Sequence, residues 1–364
     1  MKIGIVGTRG IPNHYGGFEQ FAEQLSLGLL EQGFEVWVYN SHNHPFQEKR
    51  WNGINLIHCY DPEDKIGTAG QFIYDFNCIR DSRKRNFDIV LQLGYTSNSI
   101  WHRFLPKKPI IITNMDGLEW KRSKYSRKVQ RFLKHAEKLA VHSSDYLVAD
   151  SEAIQQYLTS TYHVESTFIP YGAVLFKTPD SNALTGFDIE PHSYFLAIAR
   201  MQSDNHVEEV IQGVLESKSE LPLFMIGNIN NKYGRYLKSR YADKQVRFLG
   251  SIYDQELLNQ LRSHALGYFH GHSAGGTNPS LLEAMASSTT ICAHNNVFNR
   301  SVLLDNALFF NTPSDIAQLI NNNGFNENRE VKIIGNKKRI EEVYDPQVIV
   351  NKYIDLFRRA TKKK

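Results

Sequence analysis

Short apolar runs alternate with stretches of helical periodicity along almost the whole chain, and this alternation restricts the fold more than any other feature. Residues 3–7, 36–39, 54–59, 89–93, 110–113, 146–149 and 167–169 read as strands, with helices expected over 17–31, 69–85 and 151–158. Past residue 192 the series starts again. Strands are expected at 194–199, 223–227, 246–249, 265–269, 290–293 and 308–310, with helices at 207–215 and 254–262 and a last helical pattern over 346–359. Strands joined through helices pair in parallel, because the crossover carries the chain back to the same edge. The chain has 364 residues, enough for two domains of ordinary size. The expected fold class is therefore α/β, with two Rossmann-like, doubly wound domains facing a central cleft. Pro179, Asp180, Ser181, Asn182, Gly186 and Pro191 interrupt the apolar periodicity. They place a linker at 177–192, between an N-terminal domain at 1–176 and a C-terminal domain at 193–343. Residues 344–364 form a helix with a basic tail, expected to pack back toward the first domain.

The most informative stretch is Phe269-His270-Gly271-His272-Ser273-Ala274-Gly275-Gly276-Thr277-Asn278-Pro279-Ser280-Leu281-Leu282-Glu283-Ala284-Met285-Ala286. It reads as the end of a strand, a glycine loop and a helix with a marked start. Asn278 suits the N-cap and Pro279 the first helical position. Gly275 and Gly276 let a ligand approach the backbone, and the helix N-terminus favours phosphate through its free N–H groups and dipole. Glu283 lies just over one turn in, where its carboxylate can accept both hydroxyl protons of a ribose. Phosphate on the loop and sugar on the acid describe a nucleotide. A plain strand–loop–helix junction with a surface glutamate is the competing reading.

Three further places fall just past the carboxyl ends of expected strands, where open α/β sheets bind ligands. The first is Thr8-Arg9-Gly10-Ile11-Pro12-Asn13-His14-Tyr15-Gly16-Gly17-Phe18-Glu19, a glycine-containing loop opening a helix. Gly4, Gly7 and Gly10 are three apart, and no acid ends the second strand, so the dinucleotide fingerprint is missing and a dehydrogenase is not expected. Gly16-Gly17 stays open as either a structural turn or a ligand loop. The second is Asn114-Met115-Asp116-Gly117-Leu118-Glu119-Trp120, where Asp116 and Glu119 are site candidates and Asp116 is equally placed to cap a helix. The third is Arg200, whose guanidinium can hold a diphosphate through two parallel hydrogen bonds or serve an ion pair at the core edge.

Charge and cysteine usage bound the partners. The formal net charge is +4, too small to imply nucleic acid. Residues 121–142 nevertheless hold eight Lys or Arg against the single acid Glu137, above a stripe of Val129, Phe132, Leu133, Ala136 and Leu139. A solvated amphipathic helix or a face resting on anionic lipid headgroups both fit. Cys59, Cys78 and Cys292 are few, odd in number and widely spaced, which excludes a disulfide framework and a CxxC metal site. Residues 2–7 form a strand with no signal-peptide pattern, and no apolar run reaches the ~18 residues needed to span a bilayer. A cytoplasmic protein, peripheral at the inner face of the membrane, is expected.

These motifs, in this order, resemble the retaining GT-B glycosyltransferases of family 4 over nearly the whole chain. Gly7-Thr8-Arg9-Gly10-Ile11-Pro12, Tyr15-Gly16-Gly17-Phe18-Glu19, Asn114-Met115-Asp116-Gly117-Leu118-Glu119-Trp120-Lys121-Arg122 and the stretch from His272 to Met285 are similar to a narrower group. That group is the bacterial rhamnosyltransferases with a DUF1972-type N-terminal domain. The resemblance implies Gly16 and Gly17 beside a donor diphosphate, Arg200 binding it, and Glu283 on the ribose. Asn205, Gly275, Gly276, Thr277, Asn278 and Ser280 complete the implied donor side, with Tyr15, Phe18, Glu19 and Trp120 on the acceptor side. The chain departs from the broader family at three points. The first acid of its E-x7-E falls at Gly275, its lysine at Asn205, and its His-Gly at Asp116-Gly117. The narrower group is similar at these points, which implies altered donor recognition, and a 6-deoxy sugar has fewer hydroxyls to satisfy.

The implied activity is transfer of a hexosyl group, rhamnose from dTDP-rhamnose first, to a saccharide acceptor. That acceptor is expected on a polyprenyl diphosphate lipid in bacterial capsule, O-antigen or other cell-surface polysaccharide synthesis, with the 121–138 face on the inner leaflet. Arg200 and the helix dipole at Pro279 can stabilise a leaving diphosphate without a metal. No D-x-D motif and no cofactor-binding lysine are apparent, so neither metal nor cofactor is expected. Asp116 is expected nearest the anomeric centre or acceptor hydroxyl, as stabiliser or base, with Glu119 the weaker choice. The alternatives are a family 4 enzyme using a UDP- or GDP-hexose, a sugar-nucleotide epimerase or phosphorylase of the same fold, and a non-catalytic nucleotide-sugar-binding scaffold.

Overall fold

Strands and helices alternate in two series, each closing on its own parallel sheet, in a computed structural model that describes every residue except Tyr15, Ser123, Asp188, Lys244, Ala274, Lys363 and Lys364. The chain divides into two compact units. Unit 1 is Met1–Trp120, Tyr125–Gly172 and Pro346–Lys364; unit 2 is Lys121–Lys124 and Ala173–Asp345.

Among the described residues of unit 1, eight strands form one sheet: β1 (Lys2–Val6), β2 (Glu35–Ser41), β3 (Arg50–Trp51), β4 (Ile54–Cys59), β5 (Ile89–Leu93), β6 (Ile110–Asn114), β7 (Tyr146–Ala149) and β8 (Thr167–Phe168). Their order is β3-β4-β2-β1-β5-β6-β7-β8, all parallel except the β3–β4 pair. β5 and β6 are buried at every position, as strands covered on both faces must be. Strand order reverses at β1, between β2 and β5. There a Cβ at Gly7 (φ +93) would collide with the carbonyl of Leu93, so only glycine lets the chain leave β1 so close to its neighbour. The helix Pro346–Lys362 buries Ile349, Val350, Tyr353, Ile354, Leu356 and Phe357 in this unit. It lies on the helix Gly17–Glu31, with Phe21 and Tyr353 rings 5.7 Å apart and Gly28 leaving room for Val350.

Among the described residues of unit 2, six strands form the second sheet: β9 (Phe195–Ile198), β10 (Leu223–Ile226), β11 (Val246–Gly250), β12 (Gly267–His270), β13 (Thr290–His294) and β14 (Leu308–Phe310). All pairs are parallel, in the order β11-β10-β9-β12-β13-β14. The order reverses at β9, between β10 and β12. Phe195, Phe269 and Phe325 pack at 5.1–5.6 Å beneath these central strands.

Differences from the sequence reading have local causes. The change of unit comes at Gly172 and Ala173, ahead of the compositional linker, and residues Ser181–Phe187 form a 3-10 turn that buries Leu184 within unit 2. The helix expected through residues 121–142 starts only at Arg127, where Ser126 caps it, and runs to Ser143. Lys121–Lys124 have left unit 1 altogether. The helix Lys232–Tyr241 escaped the sequence reading because it buries little beyond Gly234 and Leu237. All three cysteines are buried and free, and no helix among the described residues is long and apolar enough to cross a membrane.

Candidate functional site

The switch point of unit 2 collects most of the donor-side candidates. β9 delivers Arg200 two residues past its end, and β12 delivers the loop from Gly271 to Asn278. β9 and β12 are hydrogen-bonded neighbours whose onward connections diverge, which opens a crevice at their carboxyl ends. Gly271 sits so close to Asn205 that a Cβ would meet its carbonyl oxygen, and Ser273 donates from both N and Oγ to the carbonyl of Asp204 at 3.1 and 2.9 Å. The turn after β9 and the loop after β12 are thereby fastened together. Gly275 is half-buried, with φ +132 and nothing within 4 Å of where a Cβ would stand, a conformation suited to glycine.

The helix Pro279–Ala286 begins as the sequence dictates. Asn278 caps it, its Oδ1 accepting from Ser280 N at 2.9 Å, with Pro279 in the first turn. Leu281 N and Leu282 N bond to the Asn278 carbonyl at 3.0 and 3.2 Å. The free first-turn N–H groups expected from the sequence are thus used internally, and what the helix offers an anion is its dipole. The Ser280 hydroxyl pairs with Tyr268 OH at 2.8 Å, and Thr277 is buried. Gly276 lies beside Gly275 in the same loop.

Glu283 is not a lone surface acid. Its Oε2 accepts from Arg262 Nη2 at 2.5 Å, and the Arg262 side chain is only 1% exposed. Arg262 lies in the last turn of the helix Gln255–His264, and its Nη1 reaches Asn259 at 3.0 Å. Nothing in the sequence pattern marked Arg262; a charged residue on the apolar face of a helix was the available signal.

Asn205 lies where the resemblance put a diphosphate contact, yet it is buried and its amide donates to the Arg200 carbonyl at 2.8 Å. It shapes the Arg200 turn. Around it, four histidines form two stacked pairs, His270 with His272 at 4.4 Å and His206 with His294 at 3.9 Å. Burial holds the His270 imidazole down to about 3 and the His294 imidazole to about 4. His272 is held well below the ordinary range by burial, then by the positive charge of neighbours that include Arg200 and Arg122. Both ring nitrogens of His270, Nδ1 of His272 and both carboxylate oxygens of Asp204 are buried without a hydrogen-bond partner among the described residues. Buried polar atoms without partners are rare in folded proteins, and their gathering at the switch point makes this the candidate binding place of unit 2.

In unit 1 the structure joins some acceptor-side candidates and withdraws others. Asp116 follows β6 with φ +47, in the left-handed region, and its N–H bonds Asn114 Oδ1 at 3.0 Å. Strain of this kind concentrates at functional positions. Its Oδ1 accepts from Tyr171 OH at 3.0 Å, and the Tyr171 ring stands 6.3 Å from Phe18 and 5.2 Å from Phe21. Burial and the Asp116 charge push the Tyr171 hydroxyl well up, so it stays a donor. Tyr171 was missed in the sequence; its position just past the last strand is the signal that could have found it. Phe18 and Asp116 are thus brought together through it.

Glu19 is buried, with Oε1 accepting from Arg9 N at 2.7 Å; it clamps the first loop. Gly16 is the helix N-cap with φ −173, an extended backbone open to any residue, and a Cβ there would make ordinary contact with Glu19. Gly17 begins the helix and is exposed, whereas Tyr15 lies outside the described residues. Glu119 opens the 3-10 turn Glu119–Lys121. Trp120 donates from Nε1 to Glu137 at 2.9 Å. Glu137 is buried and also accepts from Tyr157 OH at 2.6 Å, Tyr162 OH at 2.7 Å and Lys134 Nζ at 2.8 Å. The Lys134 ammonium lies 4.5 Å from the Trp120 ring centroid and 4.7 Å from that of Tyr157. Among the described residues, no group of three or more His, Cys, Asp and Glu is placed to hold a metal.

Residues 1–174 match a family described as "Domain of unknown function (DUF1972)", a span ending at the edge of unit 1. No curated protein matches the sequence. Solved structures resemble the whole chain. Sucrose-phosphate synthase from Thermosynechococcus elongatus has a TM-score of 0.79 at 14% identity, covering 100% of both chains. Anabaena HepE in complex with UDP has a TM-score of 0.75 at 14% identity, covering 99% of this chain and 100% of that one. A glycosyltransferase from Rickettsia africae ESF-5 has a TM-score of 0.72 at 13% identity, covering 100% and 99%. The fold is GT-B, as the sequence led us to expect.

Proposed function

We propose that this chain is a glycosyltransferase that takes its sugar from a nucleotide-sugar donor bound by unit 2. The reading rests on the placement of Arg200 just past β9 and of the Gly275-Gly276 loop and Glu283 past β12, the two neighbouring strands that flank the switch point. A cation, a glycine loop and a fixed carboxylate match the diphosphate and ribose of a nucleotide. HepE, of the same fold, has been solved with UDP and with UDP-glucose, which supports a donor of this class.

In this reading Arg200 and the dipole of the helix Pro279–Ala286 carry the charge of the leaving diphosphate, preorganised against the sheet so that no reorganisation accompanies bond cleavage. Glu283 receives the ribose hydroxyls on the carboxylate that Arg262 holds. Within unit 1, Asp116 is assigned the acceptor hydroxyl, as base or charge stabiliser, with Tyr171 fixing its orientation. Transfer is proposed to proceed with retention and without a metal, so that EDTA leaves turnover unchanged. The resemblance in the motifs favours dTDP-rhamnose as donor and a lipid-linked saccharide as acceptor. Exposed Val129 and Phe132 beside exposed Arg127, Lys128, Arg131 and Lys138 support contact with an anionic membrane.

Saturation-transfer NMR with dTDP-, UDP- and GDP-sugars tests the reading. Selective binding of dTDP-rhamnose supports it in full. Preference for a UDP- or GDP-hexose keeps the glycosyltransferase and overturns the rhamnosyl donor. Binding without turnover on any acceptor favours a scaffold, and absence of binding overturns the proposal.

A further inference from the structure

The turn that carries Arg200 holds a buried acid whose cation comes from far along the sequence. A diphosphate bears more negative charge than one guanidinium offsets, and Asn205 on that turn points its amide inward to the Arg200 carbonyl. The neighbouring Asp204 carboxylate is buried, and both its oxygens lack hydrogen bonds among the described residues. Asp204 forms an ion pair with Arg122, Nη1 to Oδ2 at 3.6 Å, and both side chains are shielded from solvent, 12% and 5% exposed. Arg122, with Lys121 and Lys124, is part of unit 2 although the chain on either side belongs to unit 1. The Asp204 carbonyl in turn holds Ser273, two residues ahead of Gly275.

We infer that Arg122 is a second cation of the diphosphate subsite, held beside the glycine loop by Asp204 and acting together with Arg200. Asp204 is its positioning residue. A guanidinium has five N–H donors in a fixed fork, so one edge can face Asp204 while another faces a phosphate. The lowered His272 imidazole, which feels both arginines, agrees with two positive charges gathered there. The inference rests on the donor-binding reading above and adds a residue that the strand–loop–helix pattern of unit 2 does not contain.

The test is calorimetric titration of the full chain with UDP and dTDP and, in parallel, with uridine and thymidine, for wild type, Arg122→Ala and Arg122→Lys. Arg122→Ala is expected to weaken the diphosphates by roughly 10- to 100-fold, the scale of one hydrogen bond to a charged group, and to leave the nucleosides within about twofold. Arg122→Lys keeps the charge without the fork and is expected to recover part of the loss, which also covers an unfolded alanine variant. Equal diphosphate affinity in wild type and both variants overturns the inference while leaving donor binding intact. A parallel loss of nucleoside affinity with a lower Tm makes Arg122 a structural anchor only and likewise overturns it. A wild type that binds none of the four probes overturns the donor-binding reading, and the inference with it.

Discussion

Arg262 and Glu283 form an ion pair in which the cation is sealed inside unit 2 and the anion stands at its edge, their side chains 1% and 17% exposed. The arrangement fixes one carboxylate oxygen and orients the other, which is how a ribose-binding acid can be held without rotamer freedom. It also makes Glu283→Ala an ambiguous probe. Stripping the acid strands a buried guanidinium, at a cost of roughly 3–5 kcal/mol. Glu283→Gln keeps an oxygen for Arg262 and is expected to cost markedly less in thermal unfolding. Under conditions where both variants remain folded, both are expected to weaken nucleoside binding. Nucleoside affinity unchanged in Glu283→Gln would separate the ion pair from the ribose.

Asp116 combines a left-handed backbone with a hydrogen bond from Tyr171. Asn tolerates that backbone and still accepts from a hydroxyl, so Asp116→Asn is expected to fold with a Tm near wild type. Turnover should fall by roughly 100-fold or more, the typical contribution of a general base, with donor affinity preserved. Tyr171→Phe is expected to lower kcat more modestly. A fully active Asp116→Asn enzyme would remove Asp116 from the chemistry.

Acid should weaken unit 2 through its buried histidines. An unfolded chain protonates a histidine near pH 6.5, whereas His270 resists until about 3 and His294 until about 4. Because their folded values are depressed, stability is fully present above pH 6.5 and is lost as the pH falls below it. Each such residue steepens the loss by up to about 1.4 kcal/mol per pH unit. His270→Phe, which keeps an aromatic ring against Tyr268 and His272, is expected to flatten denaturant-measured stability between pH 6.5 and 4. An unchanged slope would show that His270 is already protonated there.

Glu137 withdraws Lys134 from the basic face by drawing it among Trp120, Tyr157 and Tyr162. Reversing Lys128, Arg131 and Lys138 to Glu should abolish sedimentation with vesicles containing 30% anionic phosphatidylglycerol, a lipid fraction chosen as about physiological, whereas Lys134→Gln should leave it largely intact. A second basic surface serves as the control. Lys352, Arg358, Arg359 and Lys362 line an open cavity of about 600 Å³ beside Thr167 and Phe168, with Asp355 the one acid. Vesicle binding lost only on reversing these four residues would move the membrane face to the last helix.

The sequence by itself determined the elements and their class. Apolar alternation placed β1, β4, β5, β7 and β14 within a residue of where they lie, and Asn278-Pro279 located the helix behind the glycine loop, because caps and periodicity act over a few residues. It also brought forward Arg200, Asp116 and Glu283, since the ends of parallel strands must gather at one edge of a sheet. What only the tertiary structure decided is where each polar side chain spends its hydrogen bonds. Asn205 turns inward to the Arg200 carbonyl, Glu19 closes on Arg9, Arg262 holds Glu283 across 21 residues, and Arg122 pairs with Asp204 far along the chain. These pairings join distant parts of the chain, and a buried charge accepts whichever partner packing brings within reach. No local pattern records that choice.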